Sequence, residues 1–322
     1  MSDGCRLVLV VLVAALLVLA ACTGPQLQEL TESGGQIRLE SDALVMDDGA
    51  RLALTVWPAE TSRAVIVAVH GFNGYGNDFS LPGPWFAAHG VSVYAYDQRG
   101  FGRHETARGI WPGSDRLARD LAAAVELVGV KHAALPVHVL GFSMGGAVAL
   151  KAAADGLEAD GLILAAPAVW GWQEMNPLYR VALWGAAHAA PAATATGSGL
   201  EVRASDNVEW MRAYGRDPLN IRATRFDALF GLVNLMQEAH AAAGVVKLPA
   251  LFVYGARDEI IPQAPTRRVM DSYGGEKRMV IYARGWHMVL QDVQRERVWQ
   301  DILTWISDRA AALPSGEEVV HP

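Results

Sequence analysis

A serine with a glycine two residues away on either side, Gly141-Phe142-Ser143-Met144-Gly145, is the sharpest chemical signal in the sequence. The pattern carries meaning only where a strand runs into a sharp turn and then a helix. Residues 137–140 are a β-rich apolar run and residues 146–154 are small and helix-compatible, which supplies that setting. On such a turn the side chains two before and two after the serine would collide, and glycine removes both Cβ atoms. Ser143 Oγ is then pushed out at the C-terminal edge of a sheet, above the start of the following helix. A hydroxyl so placed is a nucleophile for acyl transfer if a base takes its proton and a third group orients the base. Without those partners the same residues make only a glycine-rich packing corner.

Among the nine histidines, His287 stands in Arg284-Gly285-Trp286-His287-Met288, after the last expected strand and before the last helix, on the same sheet edge as Ser143. His104 sits on another loop at that edge and is the second candidate base. His89, His132, His188, His240 and His321 fall on helices or tails, and His138 within a strand, so they read as solvated or packing residues. The orienting acid should follow another strand end. Asp258, in the stretch 254–262, meets that condition; Glu259 is its neighbour and competitor, and an ion pair with Arg257 is the structural alternative. The loop His70-Gly71-Phe72-Asn73-Gly74 follows a third apolar run. Sites of this kind draw one oxyanion N–H from the residue after the nucleophile and another from such a loop, which designates the backbone N–H groups of Met144 and Phe72. His70 reads as a brace for that loop.

Eight strands are expected to carry these loops: 37–41 and 51–57 as a hairpin turning at Asp47-Asp48-Gly49, then 64–69, 91–96, 137–140, 162–166, 250–254 and 279–282. Most are continuous apolar runs, as in strands covered on both faces. Helices alternate with them. One is capped at Ser114 with Leu117, Leu121, Val125 and Val128 on one face, and others start near Met144, Ala264 and Asp292. The alternation predicts an α/β fold on an eight-stranded, mostly parallel sheet flanked by helices. Residues 169–246 lack a strand pattern and hold helical runs at 178–188, 208–214 and 225–242. A structureless loop of that size is improbable, so an inserted helical cap is expected, with the core at 37–168 and 247–313 and a flexible tail at 314–322.

The chain has 322 residues, 52% of them hydrophobic and only 19% charged, which argues against bulk disorder. Its net charge of −7 argues against a nucleic-acid surface. Cys5 and Cys22 are the two cysteines, too few for a disulfide framework or a cysteine zinc site. Leu7 to Ala21 is an uncharged apolar run, short of the ~20 residues a membrane span needs and suited to a secretory signal. It ends in Leu19-Ala20-Ala21-Cys22, which resembles the lipobox of bacterial lipoproteins. The resemblance implies cleavage after residue 21, diacylglyceryl attachment to Cys22, and a lipid-anchored protein on the periplasmic side of a bacterial envelope. Thr23 in place of Asp points to the outer membrane. A plain signal peptide and an uncleaved anchor are the alternatives. Residues 22–36 then read as a polar tether.

Taken together, His70-Gly71, Asp97-Gln98-Arg99-Gly100-Phe101-Gly102, Gly141-Phe142-Ser143-Met144-Gly145-Gly146, Asp217-Pro218, residues 255–262 and Trp286-His287 resemble the monoacylglycerol lipase and lysophospholipase branch of the α/β-hydrolases. The order Ser, Asp, His along the chain is also theirs. The likeness spans roughly residues 40 to 310. It implies serine ester hydrolysis through an acyl-enzyme, with Ser143 attacking, His287 carrying the proton and Asp258 fixing its tautomer, and no metal or cofactor. The expected substrate is a monoacylglycerol, lysophospholipid or similar ester with an apolar acyl chain. The inserted segment is apolar at Leu178, Val181, Leu183, Trp184, Phe226, Leu229, Phe230, Val233 and Leu235, which suits an acyl chain, although most of these are expected to glue the cap to the core rather than to line the site. Two other readings stay open: a serine aminopeptidase-like hydrolase, for which Glu201, Asp206 and Glu209 would have to hold a free amine, and a non-catalytic envelope lipoprotein on the same scaffold.

Overall fold

The apolar runs fold as strands whose two faces are both covered. The structure is a computed structural model that describes residues 24–319 apart from 32, 33, 105, 106, 198 and 200. The expected signal segment 1–21, Cys22 and the last three residues of the tail lie outside the described residues. The strands are β1 (Arg38–Leu39), β2 (Ala43–Val45), β3 (Arg51–Trp57), β4 (Ala64–Val69), β5 (Val91–Tyr96), β6 (Val137–Phe142), β7 (Gly161–Ala165), β8 (Thr194–Thr196), β9 (Ala223–Arg225), β10 (Ala250–Gly255) and β11 (Lys277–Tyr282). Nine form one sheet in the order β1-β2-β3-β5-β4-β6-β7-β10-β11. From β5 to β11 all neighbours are parallel, and β1, β2 and β3 add an antiparallel edge. Every residue of β4, β5, β6, β7 and β10 is buried, as Val- and Ile-rich central parallel strands require. The chain reverses its direction across the sheet between β4 and β6. That crevice at the C-terminal strand ends is where ligands bind in open parallel sheets.

Two expectations need correction. The run 37–41 is not one strand but gives way to β1 and β2, and it is β2 that pairs with β3, so the sheet has nine strands rather than eight. The inserted segment is not free of strands either: β8 and β9 form a two-stranded antiparallel ribbon. Threonine and alanine in three-residue strands give too short an alternation to register as a pattern.

The helices are α1 (Pro82–Ala88), α2 (Ser114–Lys131), α3 (Met144–Ala154), α4 (Pro177–Ala189), α5 (Val208–Arg216), α6 (Phe226–Ala242), α7 (Gln263–Ser272) and α8 (Arg295–Ser307). In α2 the expected Leu117, Leu121, Val125 and Val128 are buried, but the cap is Gly113, at φ 93°, and Ser114 is already helical. Helices α4, α5 and α6 sit between β7 and β10, where the inserted segment is expected. They are unequally attached. Gly231 of α6 lies against the Trp111 indole, where a Cβ would fall 2.4 Å from the ring, and Gly171 lies equally close to Gln237. By contrast α5 has no buried residue and α4 has only Ala187. Part of the stretch expected to be a tether also packs on the core: Leu27 pairs with Trp111, and Gln28 donates from Nε2 to the Ile110 carbonyl at 2.7 Å.

A buried charge network locks the hairpin to the sheet. Arg99 donates to Asp120 of α2 at 2.6 Å and to Asp48 of the β2–β3 turn at 2.7 Å, and Arg116 reaches Asp120 at 2.9 Å. Burial pushes the Asp120 carboxyl up against the pull of both guanidinium groups. Removing one partner from such a cluster strands a buried charge, which is strongly destabilising.

His138 is the second residue of β6, 2% exposed, edge-on to Trp305, and neither ring nitrogen has a partner among the described residues. Burial pulls its pKa down to about 4. The unfolded chain therefore takes up a proton near pH 6.5 that the folded chain refuses until about pH 4. Stability is fully present above pH 6.5 and is lost as pH falls through that window, by up to about 3 kcal/mol from this group. Urea unfolding of the wild type and His138→Leu at pH 7, 5 and 4 should show the wild type losing more stability than the variant. Parallel losses would mean that His138 does not carry the acid sensitivity.

Candidate active site

The turn after β6 forces Ser143 to φ 50° and ψ −114°, a backbone conformation unusual for any residue but glycine. The flanking glycines make it possible. A Cβ on Gly141 would lie 2.5 Å from the Gly145 carbonyl oxygen, and one on Gly145 would lie 2.0 Å from that of Val69 at the end of β4. The turn therefore presses directly on the neighbouring strand, and the Ser143 hydroxyl has only the crevice to occupy.

The three sequence candidates meet there. His287 Nε2 is 3.0 Å from Ser143 Oγ, and His287 Nδ1 is 2.8 Å from Asp258 Oδ2. Asp258 Oδ1 accepts the N–H groups of Ile260 and Ile261 at 2.8 and 2.9 Å, so the carboxylate is held at both oxygens. Its side chain is fully buried and that of His287 is 6% exposed. A carboxylate that accepts from Nδ1 leaves Nε2 free to take the hydroxyl proton. The competitors are elsewhere. Glu259 Oε2 accepts the Arg203 N–H at 2.7 Å, and His104 makes a long contact with Gly100 N within its own loop.

Phe72 and Met144, the two oxyanion candidates, lie on the loop after β4 and at the first position of α3. Met144 opens α3, where backbone N–H groups have no intrahelical partner. Phe72 follows Gly71, and a Cβ on Gly71 would lie 3.5 Å from Ser143 Cβ. The loop that carries Phe72 is braced from below. Gln98 N donates to His70 Nε2 at 2.8 Å, so the His70 Nδ1–H donates to the Gly71 carbonyl, also at 2.8 Å. Burial pulls His70 down to about 4, which keeps it neutral and suits that tautomer. Asp97 fixes the next turn by accepting Gly76 N at 2.9 Å and pairing with Arg103 at 2.8 Å.

Above Ser143 is a cavity of about 400 Å³. The inserted segment gives it an apolar wall of Trp170, Met175, Leu183, Leu229, Leu232, Val233 and Met236. Of the apolar residues singled out in the sequence, Leu183, Leu229 and Val233 line the cavity. Leu178, Val181 and Trp184 instead face outward, Leu235 is buried away from the cavity, and Phe230 packs on Trp172 and His188. Asp78 and Tyr214 also line the cavity and have no sequence signal: one is an acid in an irregular turn, the other an aromatic on a polar helix. Among the described residues no cluster of three or more His, Cys, Asp or Glu side chains is placed to hold a metal ion.

A profile of the family described as "Serine aminopeptidase, S33" matches residues 60–294, which contain every one of these groups. The chain belongs to this family. Within the S33 family it resembles the monoacylglycerol lipase of Mycolicibacterium smegmatis, at 29% identity over 269 residues covering 80% of this chain and 93% of that one. It also resembles the human monoglyceride lipase, at 26% identity over 276 residues covering 83% and 90%. The crystal structure of the Paleococcus ferrophilus monoacylglycerol lipase superposes with a TM-score of 0.69 at 20% identity, over 81% of this chain and all of that one. A soluble variant of the Saccharomyces cerevisiae monoglyceride lipase gives 0.69 at 20% identity, over 90% and 99%. These two share the fold. The S33 chain is thus a serine-type ester hydrolase on the α/β-hydrolase scaffold.

The geometry separates the two adjacent acids. Asp258→Asn should lower kcat by about 10³–10⁴, because the amide cannot hold His287 in the productive tautomer. Glu259→Gln should stay within a few-fold of wild type. Steady-state hydrolysis of p-nitrophenyl butyrate by both variants decides, and the reverse ranking would move the acid to Glu259.

Proposed function

We propose that this S33 hydrolase cleaves carboxylic esters with an apolar acyl chain, such as monoacylglycerols or lysophospholipids, through an acyl-enzyme on Ser143. The observation that carries the reading is a serine hydroxyl 3.0 Å from a carboxylate-held histidine on the floor of an apolar cavity. Ser143 Oγ attacks the ester carbonyl carbon as its proton passes to His287 Nε2. The tetrahedral oxyanion is met by the N–H groups of Phe72 and Met144. His287 returns the proton to the departing alcohol, leaving the acid esterified to Ser143. Water, deprotonated by the same histidine, then releases the free acid. The apolar wall suits the acyl chain, since each buried methylene contributes about 0.8 kcal/mol. The names of the two relatives support the same substrate class.

The aminopeptidase reading has less support at the site. Glu201 and Glu209 are exposed, Asp206 Oδ1 accepts Val293 N, and none of the three lines the cavity. A fluorophosphonate probe should label the wild type and not Ser143→Ala, whose turnover should fall by several orders of magnitude. A panel of p-nitrophenyl esters from C2 to C16, with monoacylglycerol and lysophospholipid, should favour the longer chains. Undiminished hydrolysis by purified Ser143→Ala would refute the nucleophile, and faster release from aminoacyl amides than from any ester would refute the substrate class.

We also infer that the enzyme works at a lipid surface, anchored through Cys22 on the periplasmic side of a bacterial envelope, with the outer membrane favoured. Besides the lipobox, the outward face of α4 supports this: Leu178, Tyr179, Val181 and Trp184 are 57–72% exposed, an apolar face beside the cavity. Tethering would raise the local enzyme concentration at dispersed lipid. Globomycin should cause a larger precursor to accumulate, and Cys22→Ser should lose its partition into detergent. Identical fractionation of wild type and Cys22→Ser without a globomycin effect would leave a plain signal peptide or an uncleaved anchor.

A further inference from the structure

The loop that carries Phe72 is held from two sides. On the core side His70 and Gln98 brace it, and Asp78 Oδ2 accepts the Gly71 N–H at 3.0 Å. On the other side it is tied to the inserted segment. Asn73 Nδ2 donates to Thr224 Oγ1 of β9 at 2.7 Å, and the Asn73 carbonyl accepts the Ile221 N–H at 2.9 Å. The Tyr75 hydroxyl donates to Asp217 at 2.7 Å, and Asp217 also accepts the Leu219 N–H at 2.9 Å. The two side-chain pairs are 151 and 142 residues apart in sequence, so both depend on the insert being folded onto the core. Asn73 stands at φ 65°, in a turn that Gly74 N closes on the Gly71 carbonyl at 3.3 Å. Asparagine is among the few residues that tolerate this left-handed backbone. The peptide plane that bears the Phe72 N–H lies inside that turn, and no backbone carbonyl among the described residues accepts that N–H. The ribbon that receives Asn73 is itself held. Thr224 pairs with Ala195 of β8, and the adjoining Arg225 pairs with the buried Asp227 at 2.6 Å.

A strained turn keeps its shape only while its surroundings over-determine it. An oxyanion donor lowers the barrier only if it is in place before charge develops. We propose that Asn73 and Thr224 are positioning residues for ester hydrolysis: through their hydrogen bond the inserted ribbon holds the Phe72 N–H on the developing oxyanion. The oxyanion site then depends on the seating of a segment that contributes none of the triad residues. The inference rests on the ester-hydrolase reading, with Phe72 as a donor, and adds the residues that hold that donor. Neither Asn73 nor Thr224 lines the cavity above Ser143, so neither is placed to grip the substrate. Their effect belongs to the transition state, because the donors are aimed at the tetrahedral oxyanion and not at the ground-state carbonyl oxygen.

The test uses Thr224→Val, which removes the acceptor at nearly constant volume, Thr224→Ser, which keeps it, and Asn73→Gly, which removes the donor and tolerates the same φ. Thermal melting checks that each is folded, and either Thr224→Val or Asn73→Gly carries the test should the other not fold. kcat and KM are measured for p-nitrophenyl butyrate and for its thiono analogue, in which sulfur replaces the carbonyl oxygen. Sulfur is a weak hydrogen-bond acceptor, so the thiono ester draws little on the oxyanion donors. Thr224→Val and Asn73→Gly should each lower kcat on the oxygen ester by about tenfold, a part of the 10²–10³ that a lost donor costs, with KM within twofold of wild type. The ratio of oxygen to thiono ester should fall by the same factor. The double variant should be no slower than the slower single variant, since both break one bond. Thr224→Ser should stay near wild type. An unchanged kcat overturns the proposal, and so does a loss shared equally by the two esters, which is what general loosening of the fold gives. A rise in KM at constant kcat would make the pair a binding contact instead and overturn it as well. Wild type inactive on both esters would remove the ester-hydrolase reading itself, whereas wild type equally fast on both would remove the oxyanion donors.

Discussion

Ser143 can stand at φ 50° only because Gly145 lets the turn touch the Val69 carbonyl at the end of β4. That single approach is the constraint on which the rest of the site depends. Strained backbone persists when its surroundings over-determine it. Here the surroundings are two fully buried parallel strands, β4 and β6, in register from Val65–Val137 to Val69–Gly141. The same contact brings together the ends of the two strands that carry Ser143 and the loop of Gly71 and Phe72. Catalytic spacing thus follows from strand packing and not from loop conformation.

Support then spreads outward through buried polar groups joined by hydrogen bonds. His70 and Gln98 exchange hydrogen bonds across the strand ends, Asp97 gathers Gly76 and Arg103, and Arg99 pins the β2–β3 turn to α2. On the far side Asp292 accepts from Ser205 and from the Trp286 N–H, just before His287. Burial raises Asp292 to about 6 in spite of those bonds, a sign of how dry the supports are. In a low-dielectric setting a fully bonded polar network is rigid, and a half-bonded one is a liability.

Much of this was legible in the sequence, for identifiable reasons. Central parallel strands show as unbroken apolar runs, so β4, β5, β6 and β10 and the loops after them could be placed closely. Those loops carry Ser143 and Asp258, the loop after β11 carries His287, and strand order plus loop position was enough to choose His287 over His104 and Asp258 over Glu259. The edge was less legible. Alternation in 37–45 is interrupted by Ser41-Asp42, and nothing local tells one bent strand from β1 and β2. The ribbon β8–β9 pairs residues about 30 apart in sequence, a match that propensity does not register. In the inserted segment apolar residues cover both faces of α4, so composition could not say that Leu183 faces the cavity and Leu178 faces out. Asp78 was invisible because an acid in a Gly-Asn-Asp turn normally faces water.

The uneven seating of the inserted helices has a mechanical consequence. Helix α6 is keyed to the core where Gly231 receives the Trp111 indole and where Gly171 meets Gln237, and any sliding there would drive backbone into side chain. Helices α4 and α5 have a single fully buried residue between them, Ala187, with Leu183, Trp210, Met211 and Tyr214 half-buried against the core, and the free energy of local opening is lowest where buried apolar contact is sparsest. The cavity is therefore a vessel with one welded wall and one loose one. Leu229, Leu232, Val233 and Met236 belong to the firmly seated wall, and Leu183, Met211 and Tyr214 to the other. Substitutions on α6 and on α4 or α5 would then separate fidelity from throughput, two quantities that a single rigid pocket would bind together.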